Sequence, residues 1–182
     1  LFMKGSELRL IEYMEGSKKR FIIPVYQRNY DWKIENCKQL YDDLIQVIKN
    51  NSKTHFFGSI VSVYEPSGRN TEFLIIDGQQ RLTTMSLLFL ALYNLLEEKI
   101  IISEDESLKD QIYEDFLVDK YQPQEKRMKL KPIKNDQKAF SKLFNSKDDY
   151  IKDSNLTINY SYFYERIQKQ EITIDELFDA IC

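Results

Sequence analysis

Two hydrophobic periods alternate along this chain, and the changes between them mark its elements. From Ile34, apolar residues fall three or four apart at Cys37, Leu40, Leu44, Val47 and Ile48, which predicts an amphipathic helix to about Lys49. Residues 7–14 carry a shorter pattern of the same kind, with Gly16 as a stop. The stretch "RFIIPVY" reads as a strand ending at Pro24, and "YQRNYDW" after it has no alternation and reads as a loop. "HFFGSIVSVYE" and "TEFLIID" read as strands joined by the turn "PSGRN", most economically as a hairpin. Residues 79–99 are apolar on most sides, the pattern of a buried helix.

Past residue 100 the pattern turns helical. "SEDESLKDQIYEDFLVDKY" predicts a surface helix after an acidic loop, and Met128–Leu130 a short strand within a basic segment. "NDQKAFSKLFN" predicts a short helix, "KDDYIKDSN" a loop, and "TINYSYFYERIQKQ" another helix. In "TIDELFDAIC", Thr173 and Glu176 have the spacing of a capping box. The expected class is α+β: a mixed sheet with helices over residues 1–100, then a mainly helical extension over 101–182.

Composition narrows the function. The 182 residues are 42% hydrophobic and 13% aromatic, enough for a buried core in one domain. The net charge of −3 argues against a uniformly basic nucleic-acid binder, though not against a local patch. Cys37 and Cys182 lack metal-ligand spacing and read as reduced cytoplasmic thiols. His55 is the sole histidine, which disfavours a zinc site or a histidine triad. No apolar run reaches membrane-spanning length, and no secretion signal opens the chain; Met3 is a candidate native start.

The candidate chemistry lies where the last strand meets the buried helix, in "IIDGQQRLTT". A helix start presents unpaired backbone N–H groups and the positive end of the helix dipole. Gly78 lets a ligand approach the backbone, Arg81 offers a two-pronged contact, and Thr83 and Thr84 add hydroxyls. Together these suit an anion, foremost phosphate. Asp77 fits that site if it binds Mg²⁺, positions a water or holds Arg81; the plainer alternative has Asp77 cap the helix and pair with Arg81. The Walker pattern is missing. A second polar cluster, Gln27 and Arg28 in "IPVYQRNYDW", also follows a predicted strand, so the two Gln-Arg pairs can converge on one pocket.

The segments "IPVYQRNYDW", "FFGSIV" and "IIDGQQRLTT", in this order and spacing, resemble the N-terminal domain family of the GmrSD type IV restriction endonucleases. "LKPIKNDQKAFSKLF" and "INYSYFYERI" are weaker echoes, and the likeness covers nearly the whole chain. It implies a ParB/sulfiredoxin-like fold and hydrolysis of nucleoside triphosphates with Mg²⁺, coupled to restriction of modified or foreign DNA in phage defence. On the matching positions, Gln27, Arg28, Gly78, Arg81, Thr83 and Thr84 would bind nucleotide and phosphate. Asp77 would hold metal or water, and Gln79 or Gln80 would orient the attacking water. The family's nucleases use an HNH-type domain or partner subunit; with His55 alone, this chain is not expected to cut DNA by itself, and it reads as truncated at its C-terminus. An oligomer is compatible with the sequence. The competing reading is a DNA-binding or DNA-sensing module without catalysis, with Lys126, Arg127, Lys129, Lys131 and Lys134 as its footprint. A nuclease within this domain would need acids such as Asp42 and Asp43 near the site.

Overall fold

The computed structural model describes the backbone of residues 3–6 and the whole of residues 10–52 and 58–182. His55 and the first residues of the strand predicted in "HFFGSIVSVYE" lie outside the described residues, as do residues 7–9 of the first predicted helix.

The architecture is α+β. Strands β1 (Met3–Ser6), β2 (Lys19–Ile22), β3 (Ile60–Ser67), β4 (Asn70–Asp77) and β5 (Leu130–Lys131) form one mixed sheet in the order β1-β3-β4-β2-β5. The hairpin predicted between β3 and β4 is present, closed by Gly68 and Arg69 between the paired Ser67 and Asn70. Strand β2 runs parallel to both β4 and β5. Its link to β4 passes through helix α2 (Ile34–Lys49) and β3, the long connection that a parallel pair needs. The sequence reading misses β1, because "MKGS" has no alternation; pairing with β3 makes it a strand.

Helix α3 (Gln79–Glu97) is the centre of the molecule. From Gln79 to Leu92 every residue except Arg81 is buried. Helices α4 (Leu108–Ile112) and α6 (Asn155–Gln168) pack on it, and α1 (Leu10–Met14), α2, α5 (Lys134–Lys142) and α7 (Ile174–Ile181) contribute to the same continuous hydrophobic cluster. Tyr13, Phe21 and Phe73 pack together with ring centroids 5.1–5.5 Å apart, and Phe21 and Phe73, register partners across β2 and β4, stack. The long surface helix predicted after residue 103 is instead short: α4 runs into one π-helical turn, Tyr113–Leu117. Its apolar side is buried, with Phe116 stacked on Phe89 of α3 at 4.1 Å. The predicted capping box is formed: Thr173 and Glu176 exchange hydrogen bonds at the start of α7.

The second half belongs to the same core as the first. It supplies the edge strand β5, and α6 packs along α3. Lys129, assigned above to a DNA-facing surface, is instead buried, and its ammonium donates to the carbonyl oxygens of Met14, Gly16 and Asp115. It ties α1 and the π turn to the segment before β5.

Candidate functional site

Because β2 and β4 are parallel, both leave the sheet at the same edge. Chain segments that follow carboxyl ends of parallel strands meet in a crevice there, a common location for ligands in α/β sheets. The segment after β2 carries Gln27 and Arg28; the one after β4 carries Asp77 to Arg81. They converge as the sequence reading expects. A cavity of about 490 Å³ is lined by Gln27, Arg28, Trp32 and Ile76 and by the run Asp77, Gly78, Gln79, Gln80 and Arg81.

Gly78 takes φ 92° at the start of α3, a left-handed backbone that favours glycine. Its missing side chain serves packing: a Cβ there would run into Ile60 Cδ1 and lie 3.1 Å from the Ser59 carbonyl oxygen. Gly78 also lines the cavity, as expected of a residue that lets a ligand approach the backbone. Asp77 Oδ1 accepts from the Gly78 N–H at 2.9 Å. No ion pair joins Asp77 to Arg81 among the described residues, so the simple capping-and-pairing alternative is not what the structure has. The exposed Arg81 lies against Gly58, where an added Cβ would sit 2.7 Å from Nη1 and 3.0 Å from Cζ. Gly58, with φ 90°, therefore leaves room for the guanidinium.

The glutamines divide the work. Gln27 Nε2 donates to the Ile76 carbonyl at 2.9 Å, and Gln27 Oε1 accepts from Gln79 Nε2 at 3.3 Å, which ties the two segments at the cavity. Gln80 holds the loop after β2: its Oε1 accepts from Asp31 N at 3.0 Å and its Nε2 donates to the Asn29 carbonyl at 3.2 Å. Arg28 is exposed and pairs with Asp31 at 3.2 Å. Thr83 and Thr84 are buried and do not line the cavity. Thr84 Oγ1 donates to the Gln80 carbonyl and bonds the Tyr30 hydroxyl, each at 2.7 Å, so it braces the loop from below.

More of that bracing comes from residues the sequence reading did not assign to the site. Asp136 Oδ2 accepts from Tyr30 N at 2.8 Å. Asn159 Nδ2 donates to the Tyr30 hydroxyl at 2.9 Å and to the Trp32 carbonyl at 2.8 Å. Burial pushes the Tyr30 hydroxyl far above its ordinary range and raises the Asp136 carboxyl, which the Tyr30 N–H partly offsets. Asp136 and Asn159 fall within "LKPIKNDQKAFSKLF" and "INYSYFYERI", so a signal was present; only the fold shows both reaching one loop. Asp42 pairs with Lys38 and Arg166, Asp43 accepts from Gln39, and neither lines the cavity.

The fold and the site define a mixed α+β domain with an arginine-bearing polar crevice at the ends of parallel strands. Its family is definite: the chain belongs to the GmrSD restriction endonuclease N-terminal domain family, whose model matches residues 10–181. A comparison with curated proteins gave no match. No helix among the described residues is long and apolar enough to cross a membrane.

Proposed function

We propose that the crevice binds a nucleoside triphosphate with Mg²⁺ and hydrolyses it, as the regulatory domain of a DNA restriction and phage-defence protein. The observation that carries this reading is the convergence of Arg28 and Arg81 on one cavity at the start of α3. Unpaired first-turn N–H groups and two guanidinium groups suit a polyphosphate. Arg28 leaves Asp31 to engage a phosphate oxygen, and Arg81 reaches another from its seat on Gly58. The Trp32 side chain offers a flat apolar wall for the base.

Mg²⁺ needs few protein ligands, since one or two carboxylates complete a shell of phosphate oxygens and waters. Among the described residues no three His, Cys, Asp or Glu side chains cluster as a ready ligand set. Asp77, whose carboxylate is engaged among the described residues only by the Gly78 N–H, fits the single-carboxylate arrangement. Bound there, the ion would neutralise charge on the phosphates. Gln79, at the cavity wall, orients the attacking water, while Gln80 positions the loop. Phosphoryl transfer depends mainly on such placement and charge stabilisation. DNA cleavage is assigned to an HNH-type domain or partner subunit.

Calorimetry with GTP, ATP and CTP in Mg²⁺ tests the reading. The wild type should bind one of them with a Kd on the order of micromolar, about −8 kcal/mol, and Arg81→Ala and Arg28→Ala should each abolish the heat while leaving the fold intact. Wild-type affinity in both variants would remove the shared phosphate pocket. Asp77→Asn should retain binding and lose turnover; undiminished hydrolysis would exclude Asp77 from the chemistry.

A further inference from the structure

One groove lies at the opposite end of the β2–β4 pair from the crevice, and a second runs along the edge strand β5; the two share Arg20 and Lys126 in their walls. Their volumes are about 240 and 560 Å³. Three separate segments bring cations to them: Lys18, Lys19 and Arg20 at the entry to β2, Lys126 and Lys131 around β5, and Lys134 and Lys138 on α5. The carboxylates in the walls are Glu72, Asp119 and Glu125. Asp119 is buried and engaged by the backbone N–H groups of Lys18 and Tyr121. None of the seven cations forms an ion pair among the described residues, although the chain as a whole is acidic. At the junction of the grooves, Arg20 Nε is buried and has no hydrogen-bond partner among the described residues, where its Nη2 reaches only the Glu125 carbonyl, at 3.5 Å.

A solvated lysine on an acidic protein ordinarily finds carboxylates nearby. Here the fold gathers cations from distant parts of the chain into one concave strip and leaves them unneutralised. We propose that this strip is a second site, a track for the phosphodiester backbone of nucleic acid. Several lysines along a groove match a repeating anion better than a single one, because each phosphate neutralised releases a condensed counterion. The track differs from the footprint read off the sequence: Lys129 leaves it, its ammonium being turned inward, Arg127 lines neither groove, and Lys18, Lys19, Arg20 and Lys138 join it. It shares no wall residue with the crevice, so nucleotide and nucleic acid can be held together. The inference does not depend on the nucleotide reading.

The test is fluorescence anisotropy of a short labelled DNA duplex over a salt series, using the wild type, Lys126→Glu/Lys131→Glu and a control, Lys49→Glu/Lys169→Glu. All four lysines are exposed. The wild type should bind with a steep loss of affinity as salt rises. The groove variant should bind at least ten-fold more weakly, with a salt slope shallower by roughly two. The control should keep the wild-type slope. Equal weakening in both variants would reduce the effect to overall charge and overturn the track, as would no wild-type binding. Displacement of the duplex by polyglutamate at matched charge would assign the groove to an acidic protein instead. Calorimetric nucleotide binding, run on the same variants, should not change.

Discussion

At the scale of single residues, the candidate site depends on what is missing as much as on what is present. Gly58 contributes no side chain, and Arg81 occupies the space. A methyl group there would push the guanidinium off its seat, and φ 90° would strain any other residue. Gly58→Ala should therefore weaken nucleotide binding about ten-fold, roughly 1.4 kcal/mol, with a stability loss of about 1 kcal/mol. Calorimetry and urea denaturation measure the two separately, and unchanged binding would remove Arg81's seat from the argument. The sequence displays Asp77, Arg81 and Arg28 as chemistry because charged groups at strand ends need a reason. It cannot display Gly58's role, since nothing in "FFGS" says which side chain comes to lie over the glycine. The threonines show the reverse case: in sequence they look like phosphate donors, yet helical geometry turns Thr84 inward to Tyr30.

At the scale of elements, local signals carry far and then stop. The three-four spacing places α2 at Ile34–Lys49, because an amphipathic helix writes its own period, and the box in "TIDE" fixes the start of α7. Thr173→Ala should cost about 1 kcal/mol in a denaturation curve through loss of that cap. What periodicity cannot encode is which strand lies beside which. The parallel placement of β2 next to β4, on which the convergence of the two loops depends, is non-local, and so is the two-residue strand β5. The helices after β5 likewise read as an appendage, whereas α5 and α6 hold the crevice loop through Asp136 and Asn159. Asn159→Ala should lower stability by about 1–3 kcal/mol by stranding the Trp32 carbonyl and removing one of the Tyr30 hydroxyl's two partners. Trp32 is the sole tryptophan, so its emission should shift in the folded variant. An unshifted spectrum would mean that the loop keeps its place without this brace.

At the scale of the whole molecule, one buried cation joins the first helix to the second half of the chain. Burial, with Lys19 nearby, pushes the Lys129 ammonium down to about 8, whereas an unfolded chain would hold it near the ordinary lysine value of about 10.4. Between those values the unfolded chain binds more protons, so this group's contribution to stability rises with pH across that window and is level on either side. Lys129→Met lacks the proton, and the stability of the wild type relative to it should climb by at most about 3 kcal/mol from pH 8 to 10.5. Parallel stability curves over that range would show that the three carbonyls hold the charge fully. The loop under the crevice connects the molecule differently. Its Tyr30 and Asp31 amides donate to side chains, Asp136 Oδ2 and Gln80 Oε1, rather than to a strand or a helix. In deuterium exchange each amide is thus a separate clock. Gln80→Ala should release the hydrogen of Asp31 and Asp136→Ala that of Tyr30, while ligand entering the crevice should slow both, so the occupancy of the site can be read from two hydrogens that never touch the ligand.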